Sequence, residues 1–401
     1  MEKLIVKNFG PIKEAEIDLT KYIVFIGDTS TGKSVLAKLI AIFRNFDLYR
    51  NSNYYISFVK LLKNFNIDFL REDSIIHFLE DEFDLKISNF KAEISNEIII
   101  DFDEKKIEEQ ERKTDELFES FYKMENDKSL DEASLEKINE FRLRLIELQS
   151  DLEKVKEGVK MFKDDSIIYI PAERIIYSMV SNSMSGLLAN NVALPDCYKI
   201  FAGKFEVARK NIKSKRYFDF TYSFADSQDK IIISGNNINL SQASSGIQSL
   251  IPLLLVFDDE LNKSESNKSI KTFVIEEPEL NLFPKRQKMI IDYVVEEINK
   301  TESSVVFTTH SPYILSSLDT LILANNTYNE HSDLKEEINA IVSEDKWIDY
   351  DDIAVYEVRN DGKVYSIKNE EFRSIDTNAI DGVSDIISEE FDKLTELRYA
   401  Q

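Results

Sequence analysis

The stretch YIVFIGDTSTGKS, Tyr22 to Ser34, decides the fold. Tyr22, Ile23, Val24, Phe25 and Ile26 form a short β-branched and aromatic run of the kind that fills a buried parallel strand. Gly27, Asp28, Thr29, Ser30, Thr31, Gly32, Lys33 and Ser34 follow the pattern G-x-x-x-x-G-K-S. Val35–Phe46 then has the composition and apolar spacing of a helix. Strand, glycine-rich turn and helix, in that order, are the setting in which this pattern binds nucleotide phosphates. The glycines let the backbone curl and turn its N–H groups inward. Those groups, with the positive end of the following helix, hold a β-phosphate. Lys33 reaches the β and γ oxygens as a point charge, and the Ser34 hydroxyl ligates Mg2+.

Around this loop lies a chain of 401 residues, long enough for two or three domains and a sizeable core. Hydrophobic residues make up 43%, which excludes a disordered protein. No apolar run reaches the ~18 residues that span a bilayer. The start, MEKLIVKNFG, lacks the basic and apolar regions of a secretory signal. One cysteine, Cys197, excludes intrachain disulfides, and His77, His310 and His331 have no metal-ligand spacing. A reducing cytoplasm is the expected compartment. The net charge of −24 repels phosphate backbone on average, so nucleic-acid binding needs a local basic surface. No long Lys/Arg run supplies one, and the charge reads first as a solubility feature.

Upstream of the loop, Lys3–Lys7 and Glu14–Leu19 read as strands joined by a turn at Asn8-Phe9-Gly10-Pro11. Phe9 fits both a base-stacking role and ordinary core packing. Residues 45–100 suggest short helices and a strand pair near Lys86–Phe102. From Asp101 to Asp165 there are 21 acidic and 13 basic residues, with no Gly before Gly158 and no Pro, which favours helix. Two helical stretches, about Glu104–Met124 and Leu130–Phe162, flank a polar break at residues 125–129. Leu145, Leu148, Leu152 and Val155 recur at three- and four-residue steps, as a helix seam requires. The segment reads as an antiparallel coiled-coil arm, or as surface helices packed on the head.

Downstream, a core strand at Ile167–Ile170 runs into Pro171-Ala172-Glu173-Arg174. Glu173 and Arg174 stand where α/β folds place ligand-facing groups, or form a surface salt bridge. Residues 217–224 and 230–240 read as a hairpin pair, the second with a Gly235-Asn236 turn. Leu240–Ser249, LSQASSGIQS, precedes the apolar run LIPLLLVF. Small hydroxyls and Gly before a helix make an anion-binding start. Thr272–Glu277 is a buried strand ending in two carboxylates, the Walker B arrangement, in which one acid holds Mg2+ and the next orients or deprotonates water. A further strand, Ser304–Thr309, ends in His310-Ser311-Pro312 and places a histidine for γ-phosphate contact. The tail holds a hairpin with its turn at Asn360-Asp361-Gly362 and an acidic helix at about Asn378–Tyr399.

The ordered series GDTSTGKS, ASSGIQ, VIEEPELNLFP and TTHSP resembles the ATP-binding-cassette (ABC) type ATPase heads of the structural-maintenance-of-chromosomes, RecF and OLD groups. In particular it resembles AAA-family ATPase subunits of bacterial anti-phage systems, of the OLD or PARIS type. The likeness covers about residues 1–50 and 165–325. It implies an α/β fold: an ABC-type P-loop NTPase head with an antiparallel β subdomain and an inserted helical coiled-coil hairpin. The expected divisions are 1–50 and 166–325 for the two parts of the head, 51–165 for the insertion, and 326–401 for a small C-terminal α/β extension.

The resemblance also implies a mechanism. Two heads sandwich two ATP molecules. Residues Gly27–Ser34 of one head hold the phosphates and Mg2+, while Ser244, Ser245, Gly246 and Gln248 of the other cap the γ-phosphate. Glu277 is the general base, Glu276 with Ser34 the metal-side group, and His310 the γ-phosphate sensor. Glu276 departs from the usual Asp, and Ile247 from the usual Gln or Glu, so Ile247 is free to pack across the dimer. About 75 residues beyond 325 are few for a nuclease domain, so a Toprim-like or HNH nuclease is expected as a separate polypeptide. The competing readings are a DNA-repair ATPase of the RecF or SMC type, and a module that assembles on ATP with little turnover. A transporter subunit is disfavoured by the long helical insert.

Overall fold

Leu4, Val6 and Phe9 are buried, and so are Ile12, Ala15 and Ile17 among exposed Lys13, Glu14 and Glu16, so the chain opens as a hairpin with one buried face. Its strands, β1 (Lys3–Phe9) and β2 (Ile12–Asp18), meet at a turn where Asn8 and Gly10 take φ of 51° and 56°. The computed structural model describes residues 2–49, 53–80, 83–95, 112, 167–181, 194–267, 269–376 and 382–399. Phe9 is fully buried and meets Phe69 edge-on at 5.9 Å between ring centres, so it is core and not a base-stacking surface.

Next comes β3 (Tyr22–Ile26), buried at every position, and the helix Lys33–Phe43. The strand pair expected near Lys86–Phe102 overlaps β5 (Phe83–Ser88) and β6 (Lys91–Ser95), which follow β4 (Ile75–Glu80); residues 96–102 lie outside the described residues. These three strands extend the N-terminal hairpin into a five-stranded antiparallel sheet of order β2-β1-β4-β5-β6. The boundary expected at residue 50 therefore falls inside one sheet. The arm expected at about Glu104–Met124 and Leu130–Phe162 lies, apart from Arg112, outside the described residues.

After β7 (Ile167–Ile170) come β8 (Ser214–Tyr217), β9 (Phe220–Ala225), β10 (Gln228–Ile233) and β11 (Asn236–Asn239), a four-stranded antiparallel sheet. The β10–β11 turn is Ser234-Gly235, with φ of 49° and 80°, one residue before the expected Gly235-Asn236. A two-residue hairpin turn of this hand needs both central residues in the left-handed region.

The remaining strands, β12 (Thr272–Glu276), β13 (Ser304–Thr309), β14 (Ile353–Val358) and β15 (Val364–Ser366), join β3 and β7 in the central sheet, of order β15-β14-β3-β13-β12-β7. All are parallel except β15. The tail, expected as a small C-terminal α/β extension, supplies β14 as a direct neighbour of β3. Gly362, in the turn after β14, accepts from Lys13 N at 2.7 Å. The acidic C-terminal segment forms the helix Gly382–Tyr399.

Alternate side chains of this sheet enter two cores. Tyr22, Val24, Ile26, Phe273, Ile275, Val305 and Phe307 face one; Ile23, Phe25, Val274 and Val306 face the other. The helix Lys33–Phe43 packs on the second face. The helix Ser245–Asn267, which follows the serine-glycine stretch, packs on the first. Covering both faces is what makes the parallel strands uniformly apolar. Among the described residues no helix is long and apolar enough to cross a membrane.

The base of β12 is pinned to the Ser245–Asn267 helix by charge. Buried Glu260 receives Lys271 Nζ at 2.7 Å and Lys263 Nζ at 2.9 Å, with Lys204 at 3.5 Å. Burial by itself raises its pKa, but the three lysines outweigh that and hold it at about 2, against an ordinary 4.5. A depressed pKa stabilises the fold above the ordinary value and is lost as pH falls through the folded one. Glu260→Gln is expected to destabilise the protein at pH 7 by about 3 kcal/mol, since it takes the carboxylate from the buried Lys271 ammonium. Urea melts of both proteins should show the gap narrowing by roughly 1 kcal/mol at pH 3.5. A gap of constant size would show that this pair does not carry the linkage.

Candidate functional site

The loop Gly27–Ser34 leaves β3 and is braced from two sides. Gly27 has φ 151°, and a Cβ there would lie 2.2 Å from the Val358 carbonyl oxygen of β14. Gly32 has φ 112°, and its Cβ would lie 2.5 Å from Ile12 Cδ1. Only glycine fits either position. Thr31 Oγ1 donates to Asp28 O at 3.0 Å, and the Asp28 carboxylate accepts from Thr29 N at 2.7 Å. That bond first, and the Asn360 side chain second, hold the Asp28 carboxyl below its ordinary pKa. No side chain caps the helix that starts at Lys33, so its first N–H groups are left for an anion.

Three parallel strands converge beside this loop. Lys33 Nζ donates to Gly27 O at 2.9 Å and Asp28 O at 2.7 Å, and stands 3.4 Å from His310 Nδ1, just past the end of β13. Lysine can only donate, so Nδ1 accepts, and a neutral imidazole then carries its proton on Nε2. That nitrogen faces Glu277 Oε1 at 3.4 Å, just past the end of β12. Burial lowers the Lys33 pKa, while Glu277, Asp28, Glu279 and Glu276 push it back up. Lys33, His310 and Glu277 thus form one chain of polar groups, drawn from three separate parts of the sequence.

Glu276, the last residue of β12, is buried, and its Oε1 has no hydrogen-bond partner. Burial raises its pKa; Lys38, Tyr169 and Ser34 act in the opposite direction. An orphaned carboxylate oxygen beside a serine hydroxyl suits a hard divalent cation, which takes oxygen ligands only. The residues present therefore fit Mg2+, which Ser34 and Glu276 would hold.

Glu277 has φ 42°, a left-handed conformation that costs a non-glycine residue about 1 kcal/mol or more. It is held there by Arg174, which is neither a ligand-facing group nor half of a surface salt bridge. The Arg174 guanidinium is fully buried and donates to the carbonyls of Glu276 and Glu277, each at 2.7 Å, and of Ser249 at 2.9 Å. Burial pulls its pKa down to about 10, with Glu279, Glu277, Glu276 and Glu173 opposing, so it stays charged at neutral pH. Glu173 accepts instead from the Tyr198 hydroxyl at 2.8 Å.

Sequence reasoning missed Glu279. Its Oε1 accepts from Thr309 Oγ1 at 2.7 Å and from His310 N at 2.8 Å, which fixes the backbone that carries His310. Burial raises its pKa. An acid inside the apolar turn Pro278–Pro284 was the signal available. Tyr169 was missed too: it is buried on β7, and its hydroxyl acts on the Glu276 carboxyl.

Ser244 and Ser245 are exposed at the start of their helix. Gly246 is pressed against the turn after β12, where a Cβ would sit 2.9 Å from Asn281 O. The Gln248 side chain folds back on its own loop and donates to Ser241 O at 2.8 Å. Ile247 is buried in the chain's own core and does not present an apolar face to a second copy. Among the described residues, no hydrogen bond or ion pair joins 27–34 to 244–248; the helices that carry them lie on opposite faces of the sheet. One chain brings together the loop, both acids and His310, but not the serines.

A parallel sheet with a glycine-rich phosphate loop on an inner strand, and acids and a histidine on the neighbouring strand ends, defines an ABC-type P-loop ATPase head. The family model for the AAA ATPase domain matches residues 1–176 and 178–315, and the chain belongs to that family. No curated protein matches it. Among solved structures it is similar to the SMC head domain with an extended coiled coil from Pyrococcus furiosus, at 12% identity over 99% of this chain and 100% of that one, TM-score 0.36. It is also similar to the SMC head domain from Thermotoga maritima, at 12% identity over 79% and 90%, TM-score 0.34. A third is the recombination mediator protein RecF, at 12% identity over 91% and 97%, TM-score 0.31.

Gly27→Ala is expected to weaken ATP binding at least about tenfold, because the added Cβ must displace either the loop or β14. Lys33→Ala is expected to abolish measurable binding. Calorimetric titration of both variants decides the matter, and wild-type affinity in either would remove the loop from the site.

Proposed function

We propose that two copies of this chain bind two ATP molecules between them and hydrolyse them. The single observation that carries this reading is the separation of the serines from the rest of the site. Lys33, Glu276, Glu277 and His310 gather on one chain, while the exposed cap at Ser244 and Ser245 stands on a helix across the sheet. A second head can bring its own Ser244, Ser245 and Gly246 to that nucleotide. Phe283, largely exposed on the turn beyond the acids, is an aromatic group that such pairing would cover.

In this reading Lys33 exchanges the carbonyls of Gly27 and Asp28 for the β and γ phosphate oxygens. Glu277 takes a proton from the attacking water as its oxygen bonds to the γ-phosphorus and the bond to the ADP oxygen breaks. His310 orients the Glu277 carboxylate through Nε2–H and reports the γ-phosphate. Mg2+, when bound through Ser34 and Glu276, would neutralise charge on the phosphate oxygens. The larger role we propose is sensor or scaffold of an anti-phage complex whose nuclease is a separate chain. The support is the motif series together with the helical insert that the sequence leads one to expect. A DNA-repair role predicts hydrolysis stimulated by duplex DNA with a steep salt dependence, against which the charge of −24 weighs.

Glu277→Gln is expected to slow hydrolysis by at least about a hundredfold and to accumulate ATP-bound dimers, read as phosphate release and as mass in ATP. Undiminished hydrolysis would remove Glu277 from its role. Purification of the native complex, together with phage challenge of cells carrying wild-type or Lys33→Ala protein, tests the defence reading. Absence of a co-purifying nuclease and equal protection by both proteins would sink it.

A further inference from the structure

A guanidinium cut off from water is costly unless its N–H groups find acceptors. Arg174 satisfies that demand with backbone carbonyls: Nε donates to Ser249 O, Nη1 to Pro171 O at 3.1 Å and to Glu276 O, and Nη2 to Glu277 O. Ser249 lies early in the helix that begins at Ser245. A second tie runs alongside, because Asn281 Nδ2 donates to Ser249 Oγ at 3.0 Å. A third is steric, since Gly246 leaves no room for a side chain against Asn281 O. The strand end that carries the two acids and the helix start that carries the two serines are therefore joined at Gly246 and Ser249, with Arg174 and Ser249 fully buried and Asn281 at the surface.

We infer that Arg174 is a positioning residue that locks the backbone of Glu276 and Glu277 to the helix start at Ser244 and Ser245, so that each chain's own catalytic acids move with the cap it offers to its partner. The inference rests on the two-headed reading. There the acids serve the nucleotide held by their own loop, while the serines serve the partner's. A displacement of one then displaces the other, and the two sites feel each other through Arg174, with the Asn281–Ser249 bond beside it. The left-handed Glu277 depends on the same clamp.

Arg174→Lys keeps the charge but cannot span these carbonyls. ATP affinity of the Arg174→Lys head, measured with a fluorescent ATP analogue, is expected to stay within about threefold, since Arg174 does not touch residues 27–34. The kcat is expected to fall at least about thirtyfold with KM little changed. ATP-driven pairing, followed by mass photometry in a Glu277→Gln background, is expected to weaken at least about tenfold. A merely structural arginine would instead lower the melting temperature and take ATP affinity, kcat and pairing down together. That pattern, or hydrolysis and pairing within about threefold of the parent, overturns the inference. If Arg174→Lys does not fold, Asn281→Ala decides. Weakened pairing with ATP affinity intact supports the clamp, and unchanged pairing overturns it. Failure of the two-headed reading looks different, because Glu277→Gln by itself then stays monomeric in ATP. The kcat loss of Arg174→Lys, or of Asn281→Ala, then decides for or against the clamp.

Discussion

Parallel register sets where chemistry is possible in this protein. Thr308 of β13 pairs with Glu276 of β12, and Thr309 pairs with Ile26 of β3. The three strands therefore end within one residue of the same level, and the loops that leave them start side by side. No side chain needs to be long for Lys33, His310 and Glu277 to meet. Antiparallel neighbours would have sent alternate loops to opposite edges. Parallel pairing also demands crossover segments on both faces, and so the loop helix and the serine-bearing helix come to lie on opposite sides of one sheet.

The site is built from polar groups that burial works against. It raises the pKa of Glu276 and Glu279 and lowers that of Lys33 and Arg174. Each penalty is offset differently. Arg174 is solvated by carbonyls, Glu279 by a threonine hydroxyl and a backbone N–H, and Lys33 by loop carbonyls and the surrounding acids. Groups held this way need little reorganisation when charge develops on a ligand, which is the main way a dry site stabilises a transition state. Glu276 keeps one oxygen unsatisfied, as suits a cation ligand.

Much of this was legible locally. The strand, loop and helix of Tyr22–Phe43, the acid pair after an apolar strand, and His310 after another each advertise themselves through short-range pattern. Several features were not. β14 read as one strand of a hairpin in a small C-terminal extension, and its place beside β3 was not legible, because pairing between residues about 330 apart leaves no mark on either segment. Ile247 looked like a surface residue by its motif position, yet the helix turns it inward. Arg174 read as a charged turn residue; its acceptors are backbone carbonyls, which every residue possesses and no sequence pattern reveals.

By itself, then, the sequence determined the class of fold and which polar groups stand at the ends of β3, β12 and β13, since glycine conformations, strand hydrophobicity and the order of motifs are properties of contiguous stretches. Tertiary structure alone decided that the serines stand apart from the lysine of their own chain, that the tail completes the central sheet, and that one buried arginine ties the acids to the serine helix. Those outcomes depend on which distant segments share a sheet face, a choice made by burial summed over the whole chain rather than by any one stretch of it.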